Sequence, residues 1–148
     1  MNLKNKQILV TGGNGFLGKN LVKKLEKIGV SNVFAPSSNE FDLRKQQDCQ
    51  KIVKHIDIIF HLAGNSGGIG YMGKNPANVF YDNVMMDTQL LHEAKNENIE
   101  KFIGLGTVCS YPKFASIPLR DKNPTKLPST TPIPRGKNEI TPKIIDEV

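Results

Sequence analysis

Four glycines within seven positions, Gly12, Gly13, Gly15 and Gly18, stand between an apolar run, "QILVT", and a segment with helical spacing. They satisfy both G-x-G-x-x-G and G-x-x-G-x-x-G. The chemistry available to such a stretch is anion binding. The first N–H groups of a helix have no intrahelical partner and carry partial positive charge, and glycine lets a pyrophosphate come close to them. The pattern is weak alone and specific on the first strand–turn–helix of an α/β chain. A tight turn with close helix packing and no ligand would also use these glycines. Ser37 and Ser38 follow the second apolar run in "VFAPSSN", where two hydroxyls can donate to a phosphate. His61, in "FHLAG", has apolar neighbours and is expected to be a packed strand residue rather than an acid or base. The two cysteines, Cys49 and Cys109, form neither a disulfide framework nor a metal-ligand spacing and are taken as free thiols, Cys49 as structural.

The surrounding pattern supplies elements to hold these groups. "QILVT" reads as a strand and "GFLGKNLVKKLEKIG" as a helix closed by Gly29, with Leu17, Leu21, Leu25 and Ile28 on one side and Lys19, Lys23, Lys24 and Lys27 on the other. "NVFA" is a second strand, "EFDL" a short third, and a weaker helix runs from Arg44 to Lys54. "IDIIFHLAG" is continuously apolar, as in a strand covered on both faces, and belongs in a parallel sheet. A loop with Gly67, Gly68 and Gly70 follows, either folding over a ligand or serving as a flexible connection. Then comes a long helix with Pro76 near its start and Phe80, Val84 and Leu91 on its inner side. "KFIGLG" returns as a strand beside "IDIIFHLAG". Strands alternating with helices predict parallel strands joined by right-handed crossovers, hence a doubly wound α/β sheet over residues 1–111. Seven of the nine prolines lie from Pro112 onward, so residues 112–148 are expected to form an irregular or disordered Pro-rich tail.

At 148 residues the chain is sized for one ordinary domain. No apolar run approaches the roughly 18 to 20 residues of a membrane span, and the start lacks a secretory signal, so the expected compartment is the cytoplasm. The net charge of +6 is concentrated at the N-terminus, where residues 1–54 hold ten Lys or Arg against four acids. A solvated helix face explains much of it. Without interleaved aromatics it does not point to nucleic acid.

The motif T-G-x-x-G-x-x-G, Thr11 to Gly18, resembles that of the extended short-chain dehydrogenase/reductases. "HLAGNSGGIGYMGKNP", "FYDNVMM" and "GTVCSYPKF" look like the GDP-L-fucose synthases within that family, over residues 6 to 120. The resemblance implies an NADP-dependent epimerase-reductase acting on GDP-4-keto-6-deoxy-mannose, a homodimer in the family, with an N-terminal Rossmann sheet. It places the cofactor on Gly12, Gly15, Phe16, Leu17, Gly18, Ser37, Ser38, Leu62, Ala63 and Gly64. It gives Thr107 a hydroxyl for the 4-keto oxygen and Cys109 an acid/base thiol for epimerisation. Serines in place of an acid after the second strand favour NADPH over NADH, with Glu40, expected beyond the strand end, as the counterargument.

The family's Tyr-x-x-x-Lys pair is absent, because the three tyrosines are followed four positions later by Asn75, Met85 and Ala115. A family member needs about twice this length. The change after Arg120 reads as a truncation or frame shift. The expected protein is therefore the cofactor-binding part of such an enzyme, an incomplete sheet that self-associates, leaves Met85, Met86 or Leu90 partly exposed, and is inactive alone. The alternative is a non-catalytic dinucleotide-binding or sensor module.

Overall fold

A computed structural model describes residues 3–106 of the chain. Thr107, Cys109 and the proposed tail from residue 112 lie outside these residues. The elements in chain order are β1 (Ile8–Thr11), α1 (Phe16–Lys27), β2 (Val33–Phe34), α2 (Gln46–Ile52), β3 (Ile58–His61), α3 (Ile69–Lys74), α4 (Pro76–Asn96) and β4 (Lys101–Gly104). The strands form one sheet in the order β2-β1-β3-β4. Every pairing is parallel, as the alternation of strands and helices predicts. In register, Thr11 stands opposite His61 and His61 opposite Gly104, so three strands end on one line.

Alternation along the strands builds two cores. Ile8, Val10 and Ile58 pack with Leu21 and Leu25 of α1, while Leu9, Ile59 and Phe102 pack with Ile52 and Val53 after β2 and with Leu90 and Ala94 of α4. A strand covered on both faces must be apolar at every position, which is why β3 reads without a polar break until His61. The sheet is doubly wound. On α1, Leu21 and Leu25 are buried as expected, whereas Leu17 and Ile28 at its flanks are partly exposed. Gly29 ends the helix at φ +86°, a backbone that side chains disfavour.

Several expectations fail on local chemistry. "EFDL" is not a strand. The Ser37 carbonyl accepts from Glu40 N and Phe41 N at 3.1 Å each, and Asp42 turns its carboxylate onto Arg44, so local hydrogen bonds replace a ladder. The glycine-rich loop contains the short helix α3, which starts after Gly68. The phase of α4 is also shifted. Val79, Leu90, Glu93 and Ala94 are buried, while Phe80 and Val84 face outward and Leu91 packs at the margin. Of the three residues expected to be partly exposed, Met85 and Met86 are so, Met86 packing against the core, whereas Leu90 is fully buried. Among the described residues no helix is long and apolar enough to cross a membrane.

Candidate functional site

The strand order reverses between β1 and β3, and in such sheets the crevice beyond the strand ends at that point receives ligands. A cavity of about 540 Å³ lies there, bordered by Thr11, Gly12, Asn14, Ser37, Ala63 and Gly64. Its size is in the range of small-molecule sites, about 300 to 1,000 Å³.

The turn from β1 to α1 owes its glycines largely to packing. Gly12 has φ +68°, and a Cβ there would lie 2.7 Å from the Leu62 carbonyl and the Ala63 amide nitrogen. At Gly18 a Cβ would lie 2.2 Å from the Gly12 carbonyl oxygen, so the helix sits directly on the turn. Gly15 is the N-cap of α1. No side chain caps that helix and no acidic residue stands in its first turn, so its first N–H groups have no side-chain acceptor there.

Thr11 and His61 tie the two central strands at their ends. Thr11 Oγ1 accepts from Leu62 N at 3.2 Å and Ala63 N at 3.3 Å, and lies 2.6 Å from His61 Nδ1. With its lone pairs taken, the hydroxyl donates its proton to Nδ1. The imidazole proton is then on Nε2, which donates to Asp87 Oδ1 at 2.8 Å. His61 is buried, a packed strand residue as expected.

Helix α4 fixes the loop that follows β3. The Asn83 side chain accepts from Asn65 N at 2.6 Å and donates to Asn65 O at 2.9 Å, an imitation of strand pairing. Asp82 accepts from Asn65 Nδ2 at 2.8 Å and from Arg44 Nη1 at 3.3 Å. Arg44 also makes a two-point contact with Asp42, which holds that carboxyl below its usual range. After β2, both the amide and the hydroxyl of Ser37 donate to Glu40 Oε2, at 2.7 and 2.8 Å. Glu40 lies beyond β2 as expected, but its side chain folds back. Cys49 is buried on α2 and donates to Leu43 O, and burial pushes its thiol up to about 12. Its burial in the core is that of a structural cysteine, as expected.

Of the candidate cofactor residues, Gly12, Ser37, Ser38, Ala63 and Gly64 line the cavity. Gly15 and Gly18 shape its turn, Leu62 packs on the α1 side, Phe16 is 90% exposed and Leu17 partly so. Sequence reasoning missed Asn14, Arg44, Asn65, Asp82, Asn83 and Asp87. Only the spacing of Asp82, Asn83 and Asp87 on one helix carried a signal, as polar residues bracketing the buried side of α4. The cavity and the uncapped helix end beside it fit a dinucleotide, while the Ser37 donors at its rim are engaged by Glu40.

A model of the NAD dependent epimerase/dehydratase family matches residues 8–139. The chain belongs to this family. The match continues past Arg120, where the sequence changes character. Among curated relatives, the chain is 37% identical over 109 residues to GDP-L-colitose synthase of Yersinia pseudotuberculosis, covering 72% of this chain and 35% of that protein. It is 31% identical over 121 residues to GDP-L-fucose synthase 1 of Arabidopsis thaliana, covering 80% and 38%. The chain thus spans little more than a third of the length of either. Among solved structures it resembles MlghC, a GDP-mannoheptose C4 reductase from Campylobacter jejuni with NADP bound, at a TM-score of 0.74 and 28% identity, covering 82% of this chain and 39% of that one. The parallel α/β sheet is thus shared with the solved structure it resembles.

Proposed function

We propose that this chain is the N-terminal cofactor-binding part of a GDP-L-fucose synthase-like epimerase-reductase that acts on GDP-4-keto-6-deoxy-mannose with NADPH. The observation that carries this proposal is the cavity at the β1/β3 reversal, with an uncapped helix end beside it. The α1 turn binds the pyrophosphate through backbone N–H groups. Ser37 and Ser38 meet the adenosine 2′-phosphate. Ala63 and Gly64 line the adenosine side, on a loop held by Thr11 and Asn83. NADPH supplies a hydride when bound. Thr107 hydrogen-bonds the substrate's 4-keto oxygen, and Cys109 moves the proton alpha to that carbonyl, a task a thiol of lowered pKa performs near neutral pH.

None of the three tyrosines has a lysine four positions later, so residues 1–148 bind the cofactor without reducing a 4-keto sugar nucleotide. They also self-associate. Among the described residues β4 pairs on one side only, and Phe80, Tyr81 and Val84 are exposed on α4. The test is calorimetry with NADPH and NADH. Tighter binding of NADPH is expected, and Gly15→Leu is expected to abolish binding of either, because a side chain there fills the approach to the α1 end. Equal or weaker binding of NADPH overturns the cofactor assignment.

A further inference from the structure

The donors that a 2′-phosphate would use are already engaged by an anion of the chain itself. Ser37 lines the cavity just past β2, where the adenosine ribose lies in sheets of this type. Its amide and its hydroxyl converge on one oxygen of Glu40, three residues later. These contacts lower the Glu40 carboxyl from its ordinary value, so it is charged at neutral pH. The nearby cations pair elsewhere, Arg44 with Asp42 and Asp82, and Lys45 with Asp42 at 4.0 Å. A carboxylate and a phosphate monoester are both anions that seek convergent N–H and O–H donors, and the two cannot share Ser37 without strong repulsion.

Resting on the dinucleotide-binding proposal above, we propose that Glu40 is an internal stand-in for the 2′-phosphate of NADPH. It occupies the Ser37 donors until the phosphate displaces it, and so sets the margin between NADPH and NADH. NADH has no phosphate at this position and leaves the Glu40–Ser37 contact in place. The preference of the native chain for NADPH is therefore narrower than its serines alone would give.

The same contact stabilises a turn, in the manner of a Ser-x-x-Glu box, and a turn-stabilising role makes a different forecast. Dissociation constants for NADPH and NADH are measured by calorimetry on residues 1–148, native and Glu40→Gln, with thermal melts confirming that both are folded. Displacement by phosphate predicts that Glu40→Gln tightens NADPH about tenfold, from loss of one charge at contact distance, and leaves NADH nearly unchanged. The gain should shrink in a Ser37→Ala background, which removes the hydroxyl donor and keeps the amide. Parallel weakening of both cofactors, or an unchanged ratio between them, overturns the role of Glu40 while leaving the site intact. Failure of every variant to bind either cofactor overturns the dinucleotide site itself, and this proposal with it.

Discussion

Thr11 serves three partners with one hydroxyl, accepting from the Leu62 and Ala63 amides and donating to His61. A residue whose last hydrogen bonds decide the shape of a cavity wall is a sensitive place for a small change. Thr11→Val keeps the shape and removes the hydroxyl. Leu62 N retains a bond to Thr11 O, but the Ala63 amide and His61 Nδ1 lose their partner. The expected loss is about 1 to 3 kcal/mol of stability, read by urea unfolding. The burial of His61 was legible in its apolar neighbours. Its links to Thr11 and Asp87 were not, because they depend on strand register and on a helix 26 residues further along. The fold-back of Glu40 was hidden for a related reason. Strand position predicts where a residue's backbone goes, whereas a turn decides where its carboxylate points.

At the scale of elements, β1, α1, β3 and β4 follow directly from apolar runs and a clear helical period. Helix α4 was legible as a helix but not in its phase. Phe80 and Val84 are apolar at helical spacing and compete in the pattern with Val79, Met86 and Leu90, and only the position of α2 and the sheet decides between the two stripes. The difference is measurable. Leu90→Ala is expected to cost about 2 to 5 kcal/mol, because it opens a cavity in a closed core. Phe80→Ala, at a side chain 72% exposed, is expected to change stability by less than about 0.5 kcal/mol. Equal effects in denaturant titrations would place the sequence-derived stripe inside after all. The supposed strand "EFDL" failed because Asp42 and Glu40 found partners within their own loop.

At the scale of the whole molecule, the described part is held by two cores and by carboxylates that tie elements together. Glu93 on α4 accepts from Gln46 and Gln50 of α2 and from Asn96, and the Gln46 contact leads in holding its carboxyl below the ordinary value of 4.5. Asp42 is lowered in the same direction by Arg44. Carboxyls lowered in the folded state bind fewer protons than in the unfolded chain. Their contribution is fully present above the ordinary carboxylate values and is lost as pH falls through the folded ones. Stability should therefore be flat near neutrality and decline once the pH drops below about 4.5. Glu93→Gln should make that decline shallower in unfolding titrations across the acid range. A decline beginning near pH 6 would instead implicate histidine. The doubly wound class was legible from strand and helix alternation, whereas these ties between α2 and α4 join polar residues more than forty positions apart.

Gly12 is wedged against the Leu62–Ala63 backbone, and Thr11 holds the same two amides. Two cavity walls some fifty residues apart in the chain are thereby joined as one mechanical part. Neither can open to solvent unless β1 and β3 separate. The Leu62 and Ala63 amides should then exchange their hydrogens at the slow tempo of the sheet, not at that of a loop.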